Sequence, residues 1–370
     1  MDSAKSRHSN PVKVITSDDW RSDCARALES LNVRNPLVVT TKGTVDRTGL
    51  VQVFPKVNIF PDVEPNPTFT SCQAAIDFGL GGEFDGVVAI GGGSPMDTAK
   101  AVMAALGTGK RALPELLAYS EPYPHKVPGI FMPTTHGTAS EVTMWGTIWD
   151  MDEMRKHSIA HPDLYPSVAI LDPDLCLSLP LDISLTTTLD ALSHSLEAIW
   201  NRNATEESTR YAIDAVCAIL ANVPKLKDNL GDRSIRAALL KAANIAGLAF
   251  SQTKTAAAHS ISYPLSLHYS IPHGIAASMT VLPLLEINQD HIRAALDAIM
   301  KRLGLDDLEQ LRGRIRDIPG GYLKYRLREW GVAKTDLDTL AEESFASPRM
   351  ANNIVALSQN DVRHILETIY

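Results

Sequence analysis

Asp190 and His194 stand four residues apart in TTTLDALSHSLEAIW, so a helix there carries both on one face. His259 follows in AAAHSISYPLSLHYSIPHG, and His273 comes fourteen residues after it, within IPHG. One carboxylate and three imidazoles make an N₃O donor set that suits Fe²⁺ or Zn²⁺. Any one of these histidines is equally explained as a buried, hydrogen-bonded side chain; it is the two segments together that favour a metal. Glu197 and Asn201 fall on the next turns of the Asp190 face. They suit groups that orient ligands or meet a substrate, and Glu197 equally suits a structural ion pair.

A second stretch, GGGSPMDTAK at 91–100, directly follows the apolar run DGVVAI. Three glycines weaken any regular element they occupy, and a phosphate lying against their backbone compensates. Ser94 is a suitable N-cap and Pro95 a suitable first helical residue, which predicts a helix starting there. Gly91 to Gly93 then expose N–H groups beside the positive helix end. The pattern is neither G-x-G-x-x-G nor a P-loop, and a tight turn without a ligand also explains it. Asp97 and Lys100 on the first turns read either as cofactor contacts or as a solvated face.

The elements that must position these groups come in two styles. Short β-rich runs at 36–40, 56–60, 85–90, 129–135 and 167–172 alternate with helix-like stretches, which predicts βα units around a mostly parallel sheet. Beyond the Pro- and Asp-rich connector LDPDLCLSLPLD the pattern is helical almost throughout. The expectation is a dinucleotide-binding α/β domain over 1–180, a helical metal-binding domain over 181–370, and a cleft between them. A chain of 370 residues is long enough for two cores. The net charge of −8, with no Lys/Arg cluster, argues against a nucleic-acid partner. Four scattered cysteines without C-x-x-C spacing read as reduced thiols of a cytoplasmic protein. No apolar leader opens MDSAKSRHSN and no segment is apolar enough to span a bilayer, so no membrane partner is expected.

These stretches, with EPNPT at 64–68, PTTHGTASEVT at 133–143 and LDPDL, resemble the iron-dependent (group III) alcohol dehydrogenases in order and spacing over nearly the whole chain. The resemblance implies a Rossmann-like N-terminal domain, an all-α C-terminal domain and NAD(P)H-linked interconversion of a small aldehyde and its alcohol. It places Asp190, His194, His259 and His273 on the metal ligands, with Fe²⁺ or Zn²⁺ as the ion. Gly92, Gly93, Ser94 and Asp97 fall on the pyrophosphate loop. Thr41, Asn66, Thr134, Thr135, Thr138, Thr143 and Lys156 fall on the remaining cofactor positions. Family members are commonly dimers or larger, so a homo-oligomer is expected. The dehydroquinate-synthase-like lyases share the two-domain plan and the use of NAD and a metal, and stand as the more distant alternative.

Three departures from the family pattern carry consequences. His136 and Ala139 replace the usual Ala and second Gly; His136 lies near the nicotinamide or turns to the surface. A relay histidine common in the family is Tyr263 here, leaving Tyr263, His268 or a bound water to move the proton. Thr41 stands where NAD-preferring members often carry Asp, which removes the repulsion of a 2′-phosphate and admits NADPH beside NADH. For the substrate, TKTAAAHSISYPL, SLEAIWNRNA and PRMANN resemble the branch that reduces phosphonoacetaldehyde to 2-hydroxyethylphosphonate. Sulfoacetaldehyde, lactaldehyde and simple aliphatic aldehydes are the competitors. A phosphonate wants charge-assisted donors, and Asn201, Arg202, Lys254, Arg349 and Asn353 are the candidates.

Overall fold

A computed structural model describes residues 10–370; residues 1–9, in which no leader was read, lie outside the described residues. Eight strands precede residue 172: β1 (Lys13–Thr16), β2 (Pro36–Val39), β3 (Ile59–Phe60), β4 (Gly86–Gly91), β5 (Gly129–Pro133), β6 (Trp145–Asp150), β7 (Arg155–Ala160) and β8 (Val168–Leu171). Six of them form one parallel sheet in the order β1-β8-β5-β4-β2-β3. The helices among them are α1 (Trp20–Ser30), α2 (Lys42–Thr48), α3 (Phe69–Leu80), α4 (Gly93–Thr108) and α5 (Leu113–Leu117).

β4 is buried along its whole length, as a central parallel strand with both faces covered must be. One face of the sheet packs Leu37, Val87, Ala89 and Phe131 against Met96, Val102 and Ile76. The other packs Val38, Val88, Ile90 and Ile170 against Trp20, Cys24 and Ala27. The chain builds outward from β2 to β3, then returns across β2 to β4 and continues the other way. That reversal sits between β2 and β4, where sheets of this kind bind ligands at their carboxyl ends. The glycine loop is the carboxyl end of β4.

Three strands escaped the sequence pattern. β1 is a four-residue edge strand, mostly exposed, with no alternation of buried and exposed residues to register. β6 and β7 form an antiparallel hairpin outside the main sheet, its tip the acidic turn at 151–154. Helices follow: α6 (Leu181–Ile199), α7 (Glu206–Asp228), α8 (Arg233–Thr253), α9 (Ala257–Tyr269) and α10 (His273–Met279). Five more complete the chain: α11 (Val281–Asn288), α12 (Arg293–Leu303), α13 (Leu308–Arg316), α14 (Leu337–Glu343) and α15 (Gln359–Thr368). Their shared core includes Leu192, Leu196, Val216, Leu239, Ile261 and Leu284, and it reaches Ala139, Val142 and Ala169 of the sheet half. The cysteines are free: Cys24, Cys72 and Cys176 are buried and Cys217 is half-buried. No helix among the described residues is long and apolar enough to cross a membrane.

Candidate active site

α6 is buried from Leu189 to Ile199, so Asp190, His194 and Glu197 all face protein. His259 lies in the first turn of α9 and His273 opens α10. Gly274 explains how α10 comes so near: a Cβ there would collide with the Thr186 carbonyl oxygen and come 3.1 Å from the Asp190 Cβ. The approach brings Asp190 Oδ1 within 3.5 Å of His259 Nε2, 3.8 Å of His273 Nε2 and 4.0 Å of His194 Nε2. The donor atoms of Asp190, His259 and His273 all lie within 4.8 Å of one another.

Asp190 Oδ1 and His259 Nε2 are buried and have no hydrogen-bond partner among the described residues. Buried polar atoms are rarely left so, and a shared cation is the group that satisfies these. Carboxylate and imidazole donors fit a divalent transition ion. Glu197 accepts the His259 backbone N–H at 3.2 Å and hydrogen-bonds its ring Nδ1. That contact turns Nε2 toward Asp190 and fixes which nitrogen can ligate. The charges follow the same logic. Burial lowers the His259 imidazolium, but the Glu197 and Asp190 carboxylates together outweigh it and raise the pKa to about 9. Burial pushes the Asp190 carboxyl up, and the surrounding histidines, His194 foremost, hold it well below the ordinary range. Burial brings His194 down to about 4 and takes His273 well below its usual value. Phe250 stacks on the His194 ring at 4.1 Å.

The glycine loop reaches this cluster through the segment 134–143. α4 starts at Gly93, with Gly92 as a cap that has no side-chain hydrogen bond. The start is therefore earlier than Ser94-Pro95 implies; Ser94 instead accepts the Asn66 backbone N–H at 3.2 Å. A Cβ at Gly92 would sit 3.2 Å from Thr135 Cγ2, and one at Gly93 2.7 Å from Thr138 Cγ2. A side chain at Gly93 would collide with Thr138, so the segment 134–138 packs directly on the glycine backbone. Thr138 Oγ1 is buried without a partner among the described residues, and Thr134 N–H bonds the Gly91 carbonyl at 2.9 Å. On its other side the segment touches α6: His136 N–H donates to Thr187 Oγ1, and a Cβ on Gly137 would meet Thr187 at 3.0 Å. The fully buried Lys100 holds it in place, donating to Ser140 O and Oγ, Thr143 Oγ1 and Trp145 O at 2.6–3.0 Å. Asp97 accepts from Ser140 Oγ and Thr147 N. Asp97 and Thr143 thus brace the loop from within.

Lys156 on β7 lies beside the cluster, its Nζ 4.0 Å from the centroid of the Tyr263 ring. Tyr263 in turn faces His273, ring centroids 6.4 Å apart and nearly parallel. Burial lowers the Lys156 ammonium to about 8 and pushes the Tyr263 hydroxyl up to about 12.

The profile of the family described as iron-containing alcohol dehydrogenase matches residues 11–173, and that of the Fe-containing alcohol dehydrogenase family, C-terminal, matches 184–370. The chain belongs to the iron-containing alcohol dehydrogenase family. It is 35% identical over 302 residues to a phosphonoacetaldehyde reductase of Streptomyces viridochromogenes, covering 76% of this chain and 75% of that one. It is 28% identical over 363 residues to an NAD-dependent methanol dehydrogenase of Bacillus methanolicus, covering 92% and 93%. Among solved structures, the sulfoacetaldehyde reductase of Bifidobacterium kashiwanohense in complex with NAD⁺ superposes with a TM-score of 0.89 at 27% identity, covering 98% and 97%.

Several of the candidate residues have structural partners in the fold. His268 is nine positions beyond His259, half a turn out of phase on α9; it is exposed and ion-paired with Glu343 at 2.6 Å, away from the cluster. Asn201 is buried with both ends of its amide engaged by backbone, donating to Lys254 O and accepting from Asn203 N, so it ties α6 to the end of α8. Lys254 is exposed as the cap of α8 and contributes its carbonyl to that tie. Arg202 donates to the Asn353 carbonyl, and the Asn353 amide is paired with Asn288. These four hold the chain near 352 in place, and among the described residues Arg349 is the candidate whose guanidinium makes no hydrogen bond or ion pair. His136 does not turn to the surface: it is fully buried. Burial, with help from Arg236, keeps it neutral by lowering its pKa to about 3. Thr41 caps α2, its hydroxyl accepting from Thr44 N. The contact of Glu197 with His259, and the place of Lys156 beside Tyr263, carry no signal in residue spacing.

Proposed function

We propose that this family member reduces a small anionic aldehyde to its primary alcohol with hydride from a nicotinamide dinucleotide, phosphonoacetaldehyde to 2-hydroxyethylphosphonate being the best-fitting pair. The observation that carries this reading is the convergence of Asp190, His194, His259 and His273 beside a segment, 134–138, that also walls the glycine loop. A divalent ion held by those four residues supplies Lewis-acid polarisation of a carbonyl oxygen, and the nicotinamide supplies the hydride. The chain does the positioning. Glu197 keeps the His259 Nε2 lone pair turned toward Asp190. Lys100 fixes the bridging segment, and the backbone N–H groups of Gly92 and Gly93 at the start of α4 suit a pyrophosphate. Lys156, over the Tyr263 ring, adds positive charge beside His273. Support for an anionic substrate comes from the two relatives named for phosphonoacetaldehyde and sulfoacetaldehyde.

The test is oxidation of NADH and NADPH with phosphonoacetaldehyde, sulfoacetaldehyde, lactaldehyde and butanal, before and after chelation. The expected result is turnover that a chelator removes and added metal restores, with the highest kcat/KM on phosphonoacetaldehyde. Equal kcat/KM on phosphonoacetaldehyde and butanal overturns the anionic substrate. Product formed without net oxidation of the nucleotide favours the lyase alternative. His273→Ala abolishes the metal-dependent turnover while nucleotide binding persists.

A further inference from the structure

Lys254 caps α8 with φ 64° and ψ 175°. A positive φ is by itself no anomaly in this chain. Ala139 and Ser270 have one too, but their ψ of 31° and 28° places them in the left-handed helical well. With ψ near 180° Lys254 lies outside that well. Glycine enters this region freely, whereas a residue with a Cβ enters it only under constraint. Such a backbone persists only where its surroundings over-determine it.

The constraint comes chiefly from the end of α6. The Lys254 carbonyl accepts from Asn201 Nδ2 at 3.0 Å and from Thr253 Oγ1 at 2.9 Å. Its N–H closes the last turn of α8 on the Phe250 carbonyl at 2.7 Å. Asn201 is itself fixed: it is 2% exposed, and its Oδ1 accepts from Asn203 N at 3.0 Å. One residue on, the Thr255 carbonyl accepts from Asn352 Nδ2 at 2.8 Å. The strained residue thus joins two helices of the metal cluster. α8 carries Phe250, stacked on His194, and α9 carries His259 in its first turn. The cap of α9 is Ala256, which has no side chain to hydrogen-bond that turn, so no cap fixes how the helix enters. α6 therefore grips His259 from two places, with Glu197 on the imidazole and Asn201 on the turn that leads into its helix.

We propose that Asn201 is a positioning residue for the metal centre: by holding the Lys254 carbonyl it keeps the α8–α9 turn strained, and the strained turn sets how far His259 Nε2 reaches toward Asp190. The assignment rests on the reading of Asp190, His194, His259 and His273 as the metal-binding cluster, and deepens it by naming what sets the spacing. His259 Nε2 stands 3.5 Å from Asp190 Oδ1, a separation that one ion bridges with bonds of about 2.0–2.2 Å to each. A turn relaxed to negative φ redirects the chain between the two helices, and α9 then enters along another line. The Lys254 ammonium has no part in this. Any residue with a Cβ carries the same strain, and only glycine holds the same turn without it.

The experiment reads Fe²⁺ and Zn²⁺ affinity by chelator competition, and the denaturant midpoint of the metal-free chain. The variants are Asn201→Ala, Lys254→Gly, Lys254→Ala and the double variant Asn201→Ala with Lys254→Gly. Lys254→Gly is expected to raise the midpoint and keep the affinity, and Lys254→Ala to move neither. Asn201→Ala lowers the affinity by about 10- to 100-fold, because the freed turn relaxes and withdraws His259. In the Lys254→Gly background the same change costs far less affinity, since a glycine turn has no strain to release. It lowers the midpoint further there than in the wild type, where released strain offsets part of the lost hydrogen bond. A merely structural Asn201 costs the same in both backgrounds, and equal costs overturn the proposal. So does an unchanged affinity in Asn201→Ala, or a Lys254→Gly midpoint no higher than that of the wild type. Thr253→Val removes the other side-chain donor to the same carbonyl and takes the place of Asn201→Ala, with the same expected pattern, should that variant not fold. Should the wild type bind neither ion, the metal reading fails by itself. The midpoints then decide the strained turn: a larger cost of Asn201→Ala in the glycine background supports it, and equal costs overturn it.

Discussion

Glu197→Gln is the perturbation that reads the metal site most directly, because Glu197 touches no donor atom and acts only by holding His259. Its two carboxylate oxygens meet two donors, the His259 backbone N–H at 3.2 Å and the ring Nδ1–H. Glutamine offers one acceptor and one NH₂ group, so it serves one donor and turns its own hydrogens on the other. A charge-assisted hydrogen bond contributes about 1.5–3 kcal/mol and a neutral one about 1 kcal/mol. The variant thus loses roughly 1–2 kcal/mol of orientation plus whatever the misdirected NH₂ adds, in line with the ten- to hundredfold cost of removing such partners. The assay is competition between the protein and a chelator for Fe²⁺ or Zn²⁺, run beside thermal melts of the metal-free forms. The expected outcome is metal affinity down by about ten- to a hundredfold, with kcat of the fully loaded enzyme reduced less. Affinity unchanged within twofold would refute the reasoning, because His259 would then need no support to ligate.

Two further outcomes follow from groups away from the ligands. His136, neutral in the fold with a pKa of about 3, takes up a proton on unfolding below its ordinary value of 6.5. Stability attributable to it is complete above pH 6.5 and falls as pH drops toward 3, by about 2 kcal/mol at pH 5. Denaturant titrations at pH 7 and 5 should therefore show His136→Ala losing about 2 kcal/mol less than the wild type over that interval; equal losses contradict a neutral buried imidazole. Thr41→Asp keeps a good cap for α2 and adds a carboxylate at the end of β2. Direct binding should show the Kd for NADPH rising at least tenfold relative to that for NADH, and a constant ratio would remove Thr41 from the ribose site.

Much of this arrangement can be read in residue order because its parts are local. The glycines after DGVVAI and the four-residue spacing of Asp190 and His194 state their chemistry within one strand end or one helix turn. Gly274 is visible as part of IPHG, although its reason, the passage of α10 across Thr186, requires the packed helices. What stayed hidden is non-local. Lys156 lies in a hairpin whose alternation is blurred by charged residues, and only folding sets it over Tyr263, more than a hundred residues later. Asn201 and Arg349 are alike on paper, a polar and a charged side chain near helix ends. The fold gives the first a full set of backbone partners and the second none. His268 fails for a simpler reason: helical phase puts it on the far side of α9 from His259.

The turn Pro348–Asn352 lies outside every helix that carries a metal ligand, and it is fastened by Asn352 to Thr255 O and by Arg202 to Asn352 O. An exchange of one side chain on that turn leaves those fastenings intact. The exposed side chains of the turn are therefore free to vary without loosening the chain between α14 and α15.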